Sequence, residues 1–432
     1  MKNKSRMNLL SSFKVLTVLL SLMLLLTACG TAATQAEESS GTEPSVSTSD
    51  GRVMLQGYDI STYEIVYSSK DENSEVLAWW LANEIEDLTE LRLTVKSDDT
   101  EITGREILIG VTNRAGCSYA GRSLKAGTYL IGVDETSICV RGGDDLGTRY
   151  AVCDLIDAVA ESLEERTEVI LADTKVATVP ESDTLKAMSF NVLYKNFSTE
   201  RDLSVVHTIL RYLPDTFGIQ EGTGHWIQYF KDTLGNIYGS VGIGRDGDSE
   251  SEHTAIYYRK DRFELVEGAT KWMSNTPDTP SKFEESTQKR IFTYVILTDK
   301  QTGEAILVVN AHLEHTNATA REKQIAVVMD FIQQYPQYPV VLTGDFNTSP
   351  ATTAYRMVAE QLSDASEIAE VAEKSYTYIG GETTIDFIFV KDQMTDVLNY
   401  RVITREENRM FPSDHFPIIA EYNLTNTESK EG

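Results

Sequence analysis

The sequence predicts a mixed α/β protein in two folded units, a small one followed by a larger one built on many short strands. Three observations lead there. The chain has 432 residues, more than one hydrophobic core ordinarily supports. It is 41% hydrophobic and 24% charged, which excludes disorder, collagen and coiled coil as its main content. Beyond residue 50, stretches with a helical period alternate with short apolar β runs, first sparsely and then densely.

The first residues read as a leader. Lys2, Lys4, Arg6 and Lys14 precede an apolar run from Val15 to Leu26, a basic start and a hydrophobic stretch too short for a comfortable membrane span. The run ends Leu26-Thr27-Ala28-Cys29-Gly30, which resembles the lipobox of bacterial lipoproteins. The resemblance implies a signal peptide over 1–28, lipidation of Cys29, and a protein held by that lipid on the extracellular face of the cell membrane. Residues 29–52, rich in Thr, Ser, Ala, Glu and Gly, suit a flexible tether.

Residues 53–180 form the first unit. Val76, Trp79, Trp80, Ala82, Ile85 and Leu88 recur near a 3.6 period and predict a helix over 73–91. Two β runs follow, Glu106 to Val111 and Tyr129 to Val140, the second broken at Asp134-Glu135 as a hairpin would be. Gly142-Gly143 then opens an apolar helix to about Leu163. Without a glycine–lysine combination, that glycine pair reads as a tight turn and not a phosphate cradle. Cys117, Cys139 and Cys153 match no zinc spacing; they read as small buried hydrophobes, with one disulfide of undetermined pairing left open. This segment resembles the non-catalytic N-terminal module of some bacterial glycoside hydrolases, which implies an accessory role and a glycan contact. Residues 174–184 read as the linker.

The second unit, 184–424, holds all 6 histidines, and 425–432 reads as a disordered tail. Six apolar β runs here end or begin on polar residues: Asn191; Glu221; Asn310 and His312; Asp345 and Asn347; Asp386; and Asp414 beside His415. One polar strand end is ordinary turn chemistry. Six in one unit imply strand ends gathered at a common cleft. Asn, Glu and Asp oxygens suit a hard cation such as Mg²⁺ or Mn²⁺, since neither a thiolate set nor a histidine cluster for zinc is present. Two histidines that each pair with a carboxylate can donate to a phosphate, and an acid near a metal can orient an attacking water. No nucleophile elbow supports acyl chemistry.

These motifs, in this order, resemble the endonuclease/exonuclease/phosphatase superfamily of deoxyribonuclease I-like metal-dependent hydrolases. The resemblance implies an α+β catalytic domain, a four-layer α/β/β/α sandwich of two mainly antiparallel sheets flanked by helices. It further implies that Glu221 ligates the metal, with Asn191 and Asp414 nearby. Glu252 would pair with the catalytic His312, and Asp386 would orient the catalytic His415. Asp345 would handle the attacking water or leaving group, and Asn347, Asn310 and Arg290 would face the substrate. His315 could reach the same cleft from a loop, while His207, His225, Tyr257, Tyr258 and Trp272 read as packing residues.

Charge bears on the substrate. With 66 Asp plus Glu against 39 Lys plus Arg, the net charge of -27 argues against a long nucleic-acid groove, which needs a basic rim. A small or lipid-headgroup phosphoester is therefore favoured over DNA or RNA, and Trp272 to Glu285 is a candidate substrate loop. The rival from another class is an inactive surface-binding lipoprotein, opposed by the presence of every chemistry-bearing position. A monomer is expected.

Overall fold

The computed structural model describes residues 53–114, 117–119, 122–171 and 174–425. Cys29, the leader and tether over 1–52 and the tail over 426–432 lie outside the described residues. The chain divides into two compact units, Met1–Glu181 with Leu210–Tyr212, and Ser182–Ile209 with Leu213–Gly432.

In the first unit the order is β1 (Met54–Leu55), β2 (Tyr58–Asp59), β3 (Tyr63–Tyr67), α1 (Glu72–Thr89), β4 (Thr94–Ser97), β5 (Arg105–Ile109), β6 (Thr128–Val133), β7 (Ser137–Gly142), α2 (Asp145–Glu165) and β8 (Thr174–Thr178). Six of these strands make one mixed sheet, β4-β3-β5-β7-β6-β8. Asp71 caps α1 by accepting from the Asn73 N–H, and Asp144 caps α2 through the Gly147 N–H. The Gly142-Gly143 turn is required by space, since a Cβ on Gly143 would lie 1.9 Å from the Lys125 carbonyl. Two expectations need correcting. Thr174–Thr178 is not linker but an edge strand antiparallel to β6. Cys117 and Cys139 are joined in a disulfide, leaving Cys153 as the buried free thiol.

The second unit runs β9 (Leu185–Asn191), α3 (Thr199–Tyr212), β10 (Thr216–Gln220), α4 (Gly224–Leu234), β11 (Tyr238–Val241), β12 (Ile256–Arg259), β13 (Phe263–Trp272), β14 (Ile291–Asp299), β15 (Ala305–His312), α5 (Ala318–Ile332), β16 (Val340–Asp345), α6 (Thr353–Ala359), β17 (Ser363–Asp364), α7 (Ala365–Ile368), β18 (Val371–Glu373), β19 (Asp386–Val390), β20 (Thr395–Val402) and β21 (Ile418–Leu424). Its sheets are β11-β12-β10-β9-β21-β20-β18 and β13-β14-β15-β16-β19-β17. Both are mainly antiparallel, with parallel pairs at β9–β10, β18–β20 and β15–β16.

Strand alternation explains how the sheets stack. From β14 and β15, Val295, Leu297, Ile306 and Val308 meet Ala187, Ile256, Ile418 and Ala420 of the other sheet in one buried core. The opposite face of the same strands, with Phe292, Tyr294, Leu307 and Val309, packs under Ile325, Val328 and Met329 of α5 and Val358 of α6. On the far side of the first sheet, Phe217 meets Phe230 of α4 at 6.3 Å between rings, and Trp226 is fully buried. Burying such a side chain stabilises the fold by about 1.5–3 kcal/mol. The result is two packed sheets flanked by helices, as the sequence resemblance implied.

Candidate active site

The parallel pairs decide where the chemistry gathers. β9 and β10 end side by side, with Asn191 opposite Gln220, and Glu221 follows. β15 and β16 also end side by side, with His312 opposite Asp345. β19 runs antiparallel to β16, so it begins where its neighbour ends and sets Asp386 opposite Asp345. β21 is antiparallel to β9, which leaves Asp414 and His415 just ahead of its first residue at the same edge. A cavity of about 450 Å³ opens there, lined by Glu221, Glu252, Arg290, His312, Asp345, Asn347, Asp414 and His415.

Asp386 and His415 form the tightest unit. His415 Nδ1 lies 2.9 Å from Asp386 Oδ2. Burial alone would depress the imidazole, but the Asp386 carboxylate, with Asp345 and Asp414 behind it, pushes its pKa up to about 10. His415 is therefore an imidazolium at neutral pH, with Nε2 3.9 Å from Asp345 Oδ2. Thr377 braces the pair, because its Oγ1 accepts the Ile385 and Asp386 N–H groups while its carbonyl accepts the Phe416 N–H.

Asp345 is wholly buried. It accepts from Asn347 N at 2.9 Å and from Asn191 Nδ2 at 3.1 Å. Burial and the nearby Asp386 charge raise its carboxyl to about 7, against the pull of His415. Asn191 does not line the cavity: its Oδ1 accepts the Leu193 N–H and its amide holds Asp345. The expected metal-side residue is instead a support for the buried acid.

His312 differs from His415. Its Nε2 faces Arg290 Nη1 at 3.0 Å and Asp345 Oδ2 at 3.5 Å. An arginine has no acceptor, so this nitrogen accepts and the ring proton belongs on Nδ1. Burial and the Arg290 charge hold His312 well below the ordinary histidine value, and it is neutral. Glu252 is not its partner; that carboxylate pairs with Arg245 Nη1 at 2.8 Å. Arg245 comes from a glycine-bearing loop between β11 and β12 and claims the acid expected for the histidine. The donor that this side of the cavity offers is the Arg290 guanidinium.

Asn310 is also corrected. It sits fully buried between the sheets, donating to the Ile219 and Ala255 carbonyls and accepting from Gln220 Nε2 and Thr343 Oγ1. Gly218 makes the room, since a Cβ there would lie 2.4 Å from Asn310 Cγ. Asn310 joins two sheets and touches no substrate cavity. The Trp272–Glu285 segment also stands apart, with Ser274, Asn275, Pro277 and Asp278 lining a different cavity beside Phe331 and Tyr335. Trp272 Nε1 donates to the Arg245 carbonyl, a packing role with one consequence for the site. His225 pairs with Asp202 at 2.8 Å and stacks near Phe197, outside the cavity lining.

Other lining residues carry no motif in the sequence: Tyr194, Arg245, Gln288 and Tyr378, whose ring lies 5.0 Å from that of His415. Arg245 stands as a lone arginine in Gly242-Ile243-Gly244-Arg245-Asp246-Gly247, which marks a turn but not its partner.

Glu221 and Asn347 share a backbone feature. Both follow strand ends in the left-handed region, at φ 60° and 49°. Glu221 Oε2 accepts the Tyr194 N–H at 3.1 Å, and Asn347 Nδ2 donates to the Leu313 carbonyl. Glu221, Asp414 and Asp345 offer hard oxygen donors to one cavity, a set that fits a divalent cation of the magnesium type. Asp345, Asp386 and His415 also lie within metal-ligating reach of one another, and His415 Nδ1 is engaged by Asp386.

Carboxylates for a hard cation, an imidazolium and a buried guanidinium around a compact cleft define a phosphoester hydrolase. The model of the Endonuclease/Exonuclease/phosphatase family matches residues 188–415, and the chain belongs to that family of divalent-metal-dependent phosphoester hydrolases. Among solved structures, it is similar to a Bacteroides thetaiotaomicron family member, with 30% identity, TM-score 0.52, and coverage of 56% of this chain and 98% of that one. A Bacteroides vulgatus endonuclease/exonuclease/phosphatase matches at 28% identity and TM-score 0.53, over 56% and 99%. The mannosyl-6-phosphatase of B. thetaiotaomicron matches at 29% and TM-score 0.52, over 56% and 100%. No curated protein matches the chain.

Proposed function

We propose that the protein hydrolyses a small phosphoester, a sugar phosphate or a similar hydroxylated alcohol phosphate, by in-line attack of water, using Mg²⁺ or Mn²⁺. The observation that carries this reading is the cavity itself. At about 450 Å³ it suits one small molecule, and its cations, Arg245, Arg290 and His415, face the carboxylates Glu221 and Asp414 inside one cleft. Similarity to a mannosyl-6-phosphatase supports the same class.

Glu221 and Asp414 would hold the cation, which supplies Lewis-acid polarisation and charge neutralisation at the phosphoryl group. The chain's own groups do the rest. The His415 imidazolium donates to a phosphoryl oxygen and stabilises its developing charge, while Arg290 donates from the other side. Asp345, with a carboxyl near neutrality, orients the water and takes its proton as the new phosphorus–oxygen bond forms; the opposite bond to the alcohol oxygen breaks, and that proton returns to the departing alkoxide. Asn347 offers its amide to the phosphoryl group.

The test assays mannose 6-phosphate, sphingomyelin and plasmid DNA side by side with Mg²⁺ or Mn²⁺, for the wild type and His415→Ala. Preferential release of phosphate from the sugar ester, abolished in the variant, is expected. Preferential cleavage of DNA at physiological salt overturns the substrate class, and equal rates for the two proteins overturn the site.

We also propose that lipidation of Cys29 anchors the enzyme at the extracellular face of the membrane, where released phosphoesters reach it. Cys29→Ala should move the protein from the membrane pellet to the soluble fraction.

A further inference from the structure

The segment after β15 runs His312-Leu313-Glu314-His315, and each side chain goes somewhere different. Leu313 enters the core under α5. Glu314 is fully buried, yet its carboxylate receives the Thr287 N–H and hydroxyl and the Thr316 N–H and hydroxyl. These bonds hold its pKa down to about 2, so Glu314 is a fixed negative charge. His315 turns back to the cavity with its side chain 46% exposed.

His315 Nδ1 has two neighbours. Arg290 Nη2 lies 3.1 Å away and can only donate, while Glu314 Oε1 lies 3.4 Å away and can only accept. The shorter contact makes Nδ1 an acceptor and puts the ring proton on Nε2, the nitrogen left for the cavity. Arg290 Nη2 fixes the ring in this tautomer, with Nε2–H as its donor. Arg290 thereby spans both histidines, accepted by His312 through Nη1 and by His315 through Nη2.

Resting on the phosphoester reading above, we propose that His315 is a substrate-contacting specificity residue. Its Nε2–H binds an oxygen of the leaving alcohol, next to the phosphoryl group held by Arg290. The structure thus favours esters of polyhydroxylated alcohols over esters of flat, unhydroxylated ones. Arg290 is the positioning residue behind it.

The experiment uses the full chain with Mg²⁺ and two esters, a hexose 6-phosphate and p-nitrophenyl phosphate. The readout is the ratio of their kcat/KM values. His315→Asn keeps an acceptor near the Nδ1 position and removes the distal donor; His315→Gln replaces that donor with an amide N–H. The ratio should fall about tenfold in His315→Asn, chiefly through KM for the sugar ester, the size expected for one lost substrate hydrogen bond. It should return to within about threefold of wild type in His315→Gln. A ratio unchanged in His315→Asn overturns the proposal, as does an equal loss on both esters, which would mark His315 as a prop for Arg290. The wild type alone decides the underlying reading: if it turns over no hexose phosphate, reading and inference fall together, and if it does, the variants judge the inference separately.

Discussion

The hydrogen-bonded Asp386 carboxylate sets the protonation of His415. The raised histidine makes its donor role available through the neutral range and lost as pH climbs through about 10. Asp345 works in the opposite sense, becoming a competent base only as pH rises through about 7. A pH profile of kcat/KM should therefore be bell-shaped, with bound cation drawing the acid limb lower. Asp386→Asn removes the charge that raises His415, so the alkaline limb should move well below 10 and kcat should drop by about 10²–10⁴. The same pair is linked to folding. A histidine raised in the folded state contributes stability that is complete below its ordinary value near 6.5 and lost as pH rises through about 10. For Asp345, also raised, the favourable window lies below the ordinary carboxylate value and closes as pH rises through about 7. Divalent cations should reverse that loss, since their ligands must be deprotonated. Mg²⁺ should thus raise Tm more at pH 8 than at pH 5 in a thermal melt; an equal rise at both would count against carboxylate ligation.

At the scale of strands, Asn310 and His312 show what sequence reading resolves and what it does not. Two residues apart, both face the same side of β15, and both end an apolar run. Asn310, however, lies about 6–7 Å deeper, where the second sheet covers it. The period tells the face but not the depth. Asn310→Leu should cost about 2–4 kcal/mol in chemical denaturation by stranding buried partners, with KM for the remaining folded enzyme little changed. Strand ends were legible because each sets a polar residue beside an apolar run; Glu221, His312, Asp345 and His415 line one cleft, and Asp386 bonds to His415 behind it. The partner of Glu252 was not legible, because Arg245 arrives from a loop whose path depends on its own turn bonds and on Trp272. Edge strands such as β8 were also missed; short and without an apolar run, they have nothing that marks an inner element.

Over the whole molecule, the charge of -27 governs approach more than chemistry. An anionic substrate meets net repulsion before the cations inside the cleft take hold. Added NaCl should leave kcat/KM for a small phosphomonoester level or raise it. A nucleic-acid groove would instead lose about 10³-fold or more between about 50 and 200 mM salt, so a steep fall would return a nuclease to first place. The disulfide offers a second test at this scale. Cys117 and Cys139 both belong to the first unit. Reduction should lower that unit's calorimetric transition by an amount matching about 2–4 kcal/mol, while hydrolysis, measured as a control in the same reducing buffer, persists.

The left-handed backbone at Glu221 and Asn347 has an evolutionary edge. Glycine adopts that conformation without steric penalty, so a selection for heat resistance alone would enrich glycine at both positions. Each such gain in robustness would delete a cavity-facing side chain. Lineages drifting toward durability would then become folded, long-lived and catalytically silent, and a mixed population scored for both traits should trace that trade-off first at residues 221 and 347.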